Sequence, residues 1–384
     1  MTSESESPSA DTYEAAFDRA VLAVRREVRS SRVLSADAAL RLARGFLSGR
    51  AAMAIREASV PLVDALIGVA AELAGEDAER ALEASKLAVS VSQRLKRNDC
   101  LTGSARLRAL NSLILRARDA ADYVLGQKAA DEASVVLRDF ACPPDDEIDC
   151  LLAIACFYYE TGAFEEVLFF SEDALHLGVE LDDHNRMSRS LRLIACACSA
   201  KGNYRESIDT LWKALDLTRD ARARWVCCQN LALDYCALGH YRAARGMLDE
   251  AAASSFPGAT TQDELRLLWA RARIDAEAGV LSDVVSCLET VAEGFLQLGH
   301  PKTFAESAVE IACIFARQGR WKDAVRLAEH CAEWFSSLGL PQEAAAAKAI
   351  ASGTRGRATV ERALIDFAQS IREKAGRPCP PPSI

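Results

Sequence analysis

Thirteen cysteines, five histidines and several adjacent carboxylates are the groups in this 384-residue chain best equipped for chemistry. Cys196-x-Cys198, and Cys227-Cys228 with Cys236, invite a zinc reading. Structural zinc, however, is held by thiolates on turns that converge on one centre. These cysteines fall within apolar helical stripes, where residues two apart diverge by roughly 200°. They read as small core side chains rather than ligands. His176, His184, His240, His300 and His330 show neither zinc-protease nor nucleophile-triad spacing. His240 and His300 suit helix C-termini instead. Asp182 with Asp183, and Glu165 with Glu166, sit at turns and helix starts, where carboxylates favour the helix dipole. There is no glycine-rich phosphate loop. The expectation is a chain with no catalytic residue, no metal and no cofactor.

The elements that hold those residues repeat. Gly162, Gly202, Gly239, Gly279 and Gly319 follow one another at intervals of 40, 37, 40 and 40 residues. Seven residues before each stands Ala155, Ala195, Ala232, Ala272 or Ala312. Two after come Phe164, Tyr204, Tyr241, Leu281 and Trp321, and five after come Val167, Ser207, Ala244, Val284 and Ala324. A fixed period of this size is the signature of stacked supersecondary units. Apolar spacing of three and four runs throughout, and no segment alternates like a strand, so the chain reads as all-α.

Composition limits the partners. Half the residues are hydrophobic, enough for a packed interior. With 46 basic and 55 acidic residues the formal charge is -9, which disfavours general binding to nucleic acid or anionic membrane. No run of apolar residues is long enough to span a bilayer, and the polar, serine-rich start lacks a secretory pattern. Scattered thiols, odd in number, point to a reducing cytoplasm.

Taken in order, residues 1–10 read as a disordered tail and 11–50 as an N-terminal helical segment. Eight arginines there face only Glu27 and Asp37 between Arg19 and Arg50. That basic segment is either a solvated face on a capping pair or a docking and output surface. Residues 57–139 hold degenerate helical repeats, and 146–338 the five clear copies. Residues 341–375 read as C-terminal capping helices and 376–384 as a proline-rich disordered tail. The fourth copy departs from its siblings with Arg271 and Asp275, four apart on one helix and spaced to pair with each other.

The order of alanine, a mostly aromatic position, glycine, aromatic, small residue and alanine resembles the tetratricopeptide repeat. The resemblance covers the five copies, with a period of 37 to 40 in place of about 34 and without the usual closing proline in most copies. It implies a right-handed α-solenoid of about seven or eight helix pairs plus a C-terminal capping helix, with first helices lining a concave groove. Projecting those helices places Tyr159, Arg189, Arg192, Gln229, Asn230, Arg266, Trp269, Arg273 and Arg317 on the inner wall as candidate partner-binding residues. Arginine forks there would hold carboxylates, and Trp269 would anchor an apolar side chain. The expected function is a non-catalytic scaffold for a protein or peptide with acidic groups. The alternative is a sensor that changes shape on binding a signalling peptide or acidic ligand. Homo-oligomers are compatible with either.

Overall fold

Side-chain caps set where helices begin along this chain. Asp77, Asp99, Asp122, Asp183 and Asp220 each accept a hydrogen bond from the backbone N–H three residues on. Thr260 and Asp263 form a reciprocal capping box. The computed structural model describes residues 58–337 apart from short gaps at 75–76, 96–98, 121, 255, 257–258 and 299, together with 39–40, 43–44, 344–345 and 347–348. The remainder of the expected N-terminal basic segment, C-terminal capping helices and terminal tails lies outside the described residues.

Among the described residues there are helices and no strand. They are α1 (Val60–Leu73), α2 (Ala78–Ser92), α3 (Cys100–Asp119), α4 (Tyr123–Asp139), α5 (Pro144–Thr161), α6 (Phe164–Glu180) and α7 (His184–Ala200). There follow α8 (Tyr204–Leu217), α9 (Ala221–Ala237), α10 (Tyr241–Ala253), α11 (Thr261–Glu277), α12 (Val284–Gln297), α13 (Pro301–Arg317) and α14 (Trp321–Ser337). The chain divides into two compact units, with the boundary between Phe157 and Tyr158.

The first unit packs Leu62 and Leu66 of α1, Leu107, Leu110 and Ile114 of α3, and Ile148 of α5 as fully buried side chains. Gly126 of α4 lets Phe157 approach so closely that a Cβ there would clash with the ring. Arg108 bridges Asp64 at 2.8 Å and Asp146 at 2.9 Å, fastening α3 to the helices on either side.

In the second unit the repeat glycines close the hairpins. Gly162, Gly202, Gly239, Gly279 and Gly319 have φ between +77° and +81°, a region costly for residues with a Cβ. Each turn repeats one hydrogen-bond pattern. The residue after the glycine donates to the carbonyl five back, as in Ala163 to Tyr158, Asn203 to Cys198 and Arg320 to Phe315. This is the Schellman closure of a helix, written identically five times. Leu211, Ala214 and Leu231 fill one seam, and Leu288, Val291 and Phe295 another.

The fourth copy is irregular in two ways. Its second helix starts at Val284, five residues after the glycine, whereas its siblings start two residues after. Leu281 therefore lies ahead of the helix while still packing on the seam. Arg271 and Asp275 do not pair with each other. Each reaches back to α10, Arg271 to Asp249 at 3.5 Å and Asp275 to Arg245 at 2.8 Å. Their helix turns both towards a neighbour that offers opposite charges, so no buried ion pair forms: the Arg271 side chain is 55% exposed.

Candidate functional site

The first helices of the repeats, α7, α9, α11 and α13, carry a row of polar side chains in surroundings that exclude water. Arg189 and Arg192 of α7 are 8% and 6% exposed, Gln229 and Asn230 of α9 are 2% and 0%, and Arg273 of α11 is 7%. Burying such groups costs free energy unless partners satisfy them. Two of these residues, Asn230 and Arg273, find partners in the same register of the repeat. A residue six before one glycine meets a residue nine before the next.

In α7 and α9 that rule brings Cys196 to Asn230, whose Nδ2 donates to the sulfur at 3.5 Å. In α11 and α13 it brings Arg273 to Glu310. The Arg273 Nε donates to Glu310 Oε1 at 2.6 Å, and the guanidinium and carboxylate form a buried ion pair. Trp269 Nε1 donates to the other carboxylate oxygen at 3.0 Å, and the Arg273 guanidinium stacks over the indole at 4.4 Å. The expected open tryptophan anchor is thus 6% exposed, edge-on to Phe295 and tied to a glutamate. Sequence reasoning missed Glu310, although the apolar column it interrupts holds Ala153, Leu193 and Ala270 in other copies.

The remaining expected site residues are distributed along the same row. Arg317 donates to Glu277 Oε1 at 3.0 Å and to the Ala276 carbonyl at 3.3 Å. Gln229 Nε2 donates to the Arg266 carbonyl at 3.2 Å, joining α9 to α11 through backbone. Tyr159, at the end of α5, is buried against Phe164 with ring centroids 6.0 Å apart. Two acceptors on α9, Gln229 Oε1 and Asn230 Oδ1, are buried without a donor among the described residues.

Asp234, fully buried on α9, forms a second polar node that sequence reasoning missed. It accepts from Ser199 Oγ at 2.7 Å and Ser207 Oγ at 2.6 Å, so α7, α8 and α9 converge on one carboxylate. Its signal was legible in principle: Phe157, Ala197, Ile274 and Ile314 occupy the equivalent positions.

The described cysteines are free thiols, most of them buried. Burial pushes Cys227 up to about 11 and Cys228 to about 12. A thiol held so far from ionisation is a poor nucleophile and a poor ligand. Among the described residues, no three His, Cys, Asp or Glu side chains form a group that could hold a metal ion, and no helix is long and apolar enough to cross a membrane.

Comparison with known proteins agrees with this architecture. The tetratricopeptide repeat profile matches residues 226–255, which cover most of α9 and all of α10. No curated protein matches the sequence. Among solved structures, the apo form of RapI is similar at 10% identity, covering 96% of this chain and 98% of its own, with a TM-score of 0.52. The apo form of the quorum sensor NprR from B. thuringiensis is similar at 12% identity, over 93% of this chain and 99% of its own, with a TM-score of 0.51. These likenesses show the fold: a tetratricopeptide-like helical solenoid.

Proposed function

We propose that this chain is a non-catalytic, cytoplasmic scaffold that binds a peptide or protein segment along the first helices of its repeats. The observation that carries the reading is the row of buried polar groups on those helices, and above all Gln229 Oε1 and Asn230 Oδ1, which lack donors among the described residues. A buried amide acceptor left unsatisfied costs about 1–3 kcal/mol, so it is an unusual way to build a seam. A peptide supplies what they lack, since an extended backbone offers an N–H at every residue. Arg189 and Arg192 lie at one end of this stretch. Tyr159, Arg266, Trp269, Arg273 and Arg317 frame it, several of them fixed by hydrogen bonds of their own. Preorganised side chains lose little entropy when a ligand arrives.

The test is retention of a mixed-sequence heptapeptide pool by purified protein, read by mass spectrometry, in the wild type and in Gln229→Leu with Asn230→Leu. The wild type retains a defined subset and the double variant loses it, while thermal unfolding of the variant is no lower. Equal retention by both proteins refutes this site.

A second reading has one observation in its favour: similarity to the quorum sensor NprR. On that reading, occupancy of the row changes how the first helices stack. Small-angle scattering with and without the retained peptides separates the two, since a scaffold keeps its profile and a sensor does not.

A further inference from the structure

The arginines of the inner row are not equivalent. Arg273 and Arg317 each meet a carboxylate of their own chain, Glu310 and Glu277. Arg189 does not. It is 8% exposed, its Nε is buried without an acceptor, and among the described residues no carboxylate or carbonyl is paired with its guanidinium. Arg192, 6% exposed, follows three residues later on the same face of α7. Arg192 differs from Arg189 in having an interaction partner of its own. The Cys227 thiol of α9, raised chiefly by burial, is drawn the opposite way by Arg192. Across the seam, Val226 holds the place on α9 equivalent to Arg189, and contributes no counter-charge.

A buried guanidinium without an anion is costly, and a guanidinium fork is shaped for two oxygens of one acceptor. We infer that Arg189 of α7 forms an oxyanion subsite, which receives a carboxylate of the ligand or a small free oxyanion such as phosphate. This deepens the peptide-binding reading and rests on it for the first source. The second source stands apart from that reading.

Three arms decide between the outcomes, using the full chain. The first measures thermal unfolding in 10 mM phosphate, about the millimolar range a weak ion site needs, against chloride at equal ionic strength. Wild type gains about 3 °C more than Arg189→Met, and taking the difference removes the general stabilisation that phosphate gives any fold. In chloride alone, Arg189→Met unfolds no lower than wild type, because the variant no longer buries an unpaired cation. The second arm compares heptapeptide pools with free and with amidated C-termini. Loss of about tenfold in retention by Arg189→Met, confined to the free-acid pool, identifies a terminal carboxylate. The same loss in both pools identifies an acidic side chain. The third arm repeats both with Arg189→Lys, which keeps the charge and loses the fork, so a folding defect of the methionine variant leaves the question answerable. Arg189→Lys then shows part of each loss.

A phosphate difference without any peptide retention leaves the subsite standing for small oxyanions and removes the peptide reading. Peptide retention that is equal in all three proteins, with no phosphate difference, overturns the subsite and leaves the groove intact.

Discussion

Removing Glu310 tests how the fourth and fifth repeats are joined. Its carboxylate is 3% exposed and satisfies two groups of α11 at once, the Arg273 guanidinium and the Trp269 indole N–H. Glu310→Ala strips both of their acceptor while leaving the cation buried. Breaking one partner of such a pair costs about 3–5 kcal/mol, because the charge that remains has no counter-ion. Removing both charges is a different perturbation. Arg273→Met with Glu310→Leu fills similar volume without charge, and is expected to recover the ion-pair part of the loss, falling short of wild type by the roughly 1–3 kcal/mol of a buried Trp269 N–H left without its acceptor. The surface pair Arg320–Asp323, with side chains 50% and 34% exposed, is the internal control, and Asp323→Ala is expected to cost less than about 1 kcal/mol. Urea unfolding followed by circular dichroism measures all of these, and hydrogen exchange locates the loss at the α11–α13 seam. In a repeat array weakened at one interface, the segments on either side unfold less cooperatively, so the Glu310→Ala transition should also broaden. If Glu310→Ala costs no more than Asp323→Ala, the pair is not the fastening described.

Three further outcomes follow from the turns, caps and thiols. Gly239→Ala, at φ +78°, is expected to cost about 1 kcal/mol or more, whereas Gly246→Ala, inside α10 with nothing within 4 Å of a new Cβ, should stabilise by about 1 kcal/mol; equal urea midpoints for the two would contradict this. Thr260→Ala removes one half of the capping box on α11 and should lower stability by about 1 kcal/mol, with exchange quickening at Asp263 first. Alkaline titration should unfold the protein. Cys198 and Cys227 are pushed up to about 11, and Cys228 and Cys331 to about 12, from the usual 9, first of all by burial. The unfolded chain releases these protons near pH 9 and the folded chain does not. Stability is therefore complete below pH 9 and lost as pH rises towards 11–12, by about 1.4 kcal/mol per thiol per pH unit. Urea midpoints between pH 8 and 10.5 check the slope, which should be shallower in Cys331→Ala.

The sequence carried the architecture because the requirement it encodes is local. A hairpin closed at φ near +80° calls for glycine, and the small residues beside it are set by how closely two helices approach. Those constraints recur in every copy and can be read without knowing what lies beyond the hairpin. The candidate site was less legible because its partners come from the next copy. Arg273 looked available from its own helix, and only the stacking of α13 on α11 shows that Glu310 holds it. Arg271 and Asp275 match each other on a helical wheel, which shows one helix and not its neighbours. The acidic and basic groups they reach belong to α10. Two columns held the missing information. Glu310 and Asp234 each place a charge where the other copies keep mostly apolar residues, and a buried charge at such a place requires partners nearby.

Asp234 also bears on where this chain can be cut. Counted from glycine to glycine, each repeat is one module of the array. Yet Ser199 and Ser207, which flank one glycine, both donate to a carboxylate contributed by the following copy. A fragment ending at Gly202 or in the loop after α8 would leave its hydroxyls without their acceptor, and one beginning at α9 would bury a carboxylate with neither serine. Grafts, truncations and circular permutants of this array should therefore keep His184 through Ala253 as one piece, with termini outside that span.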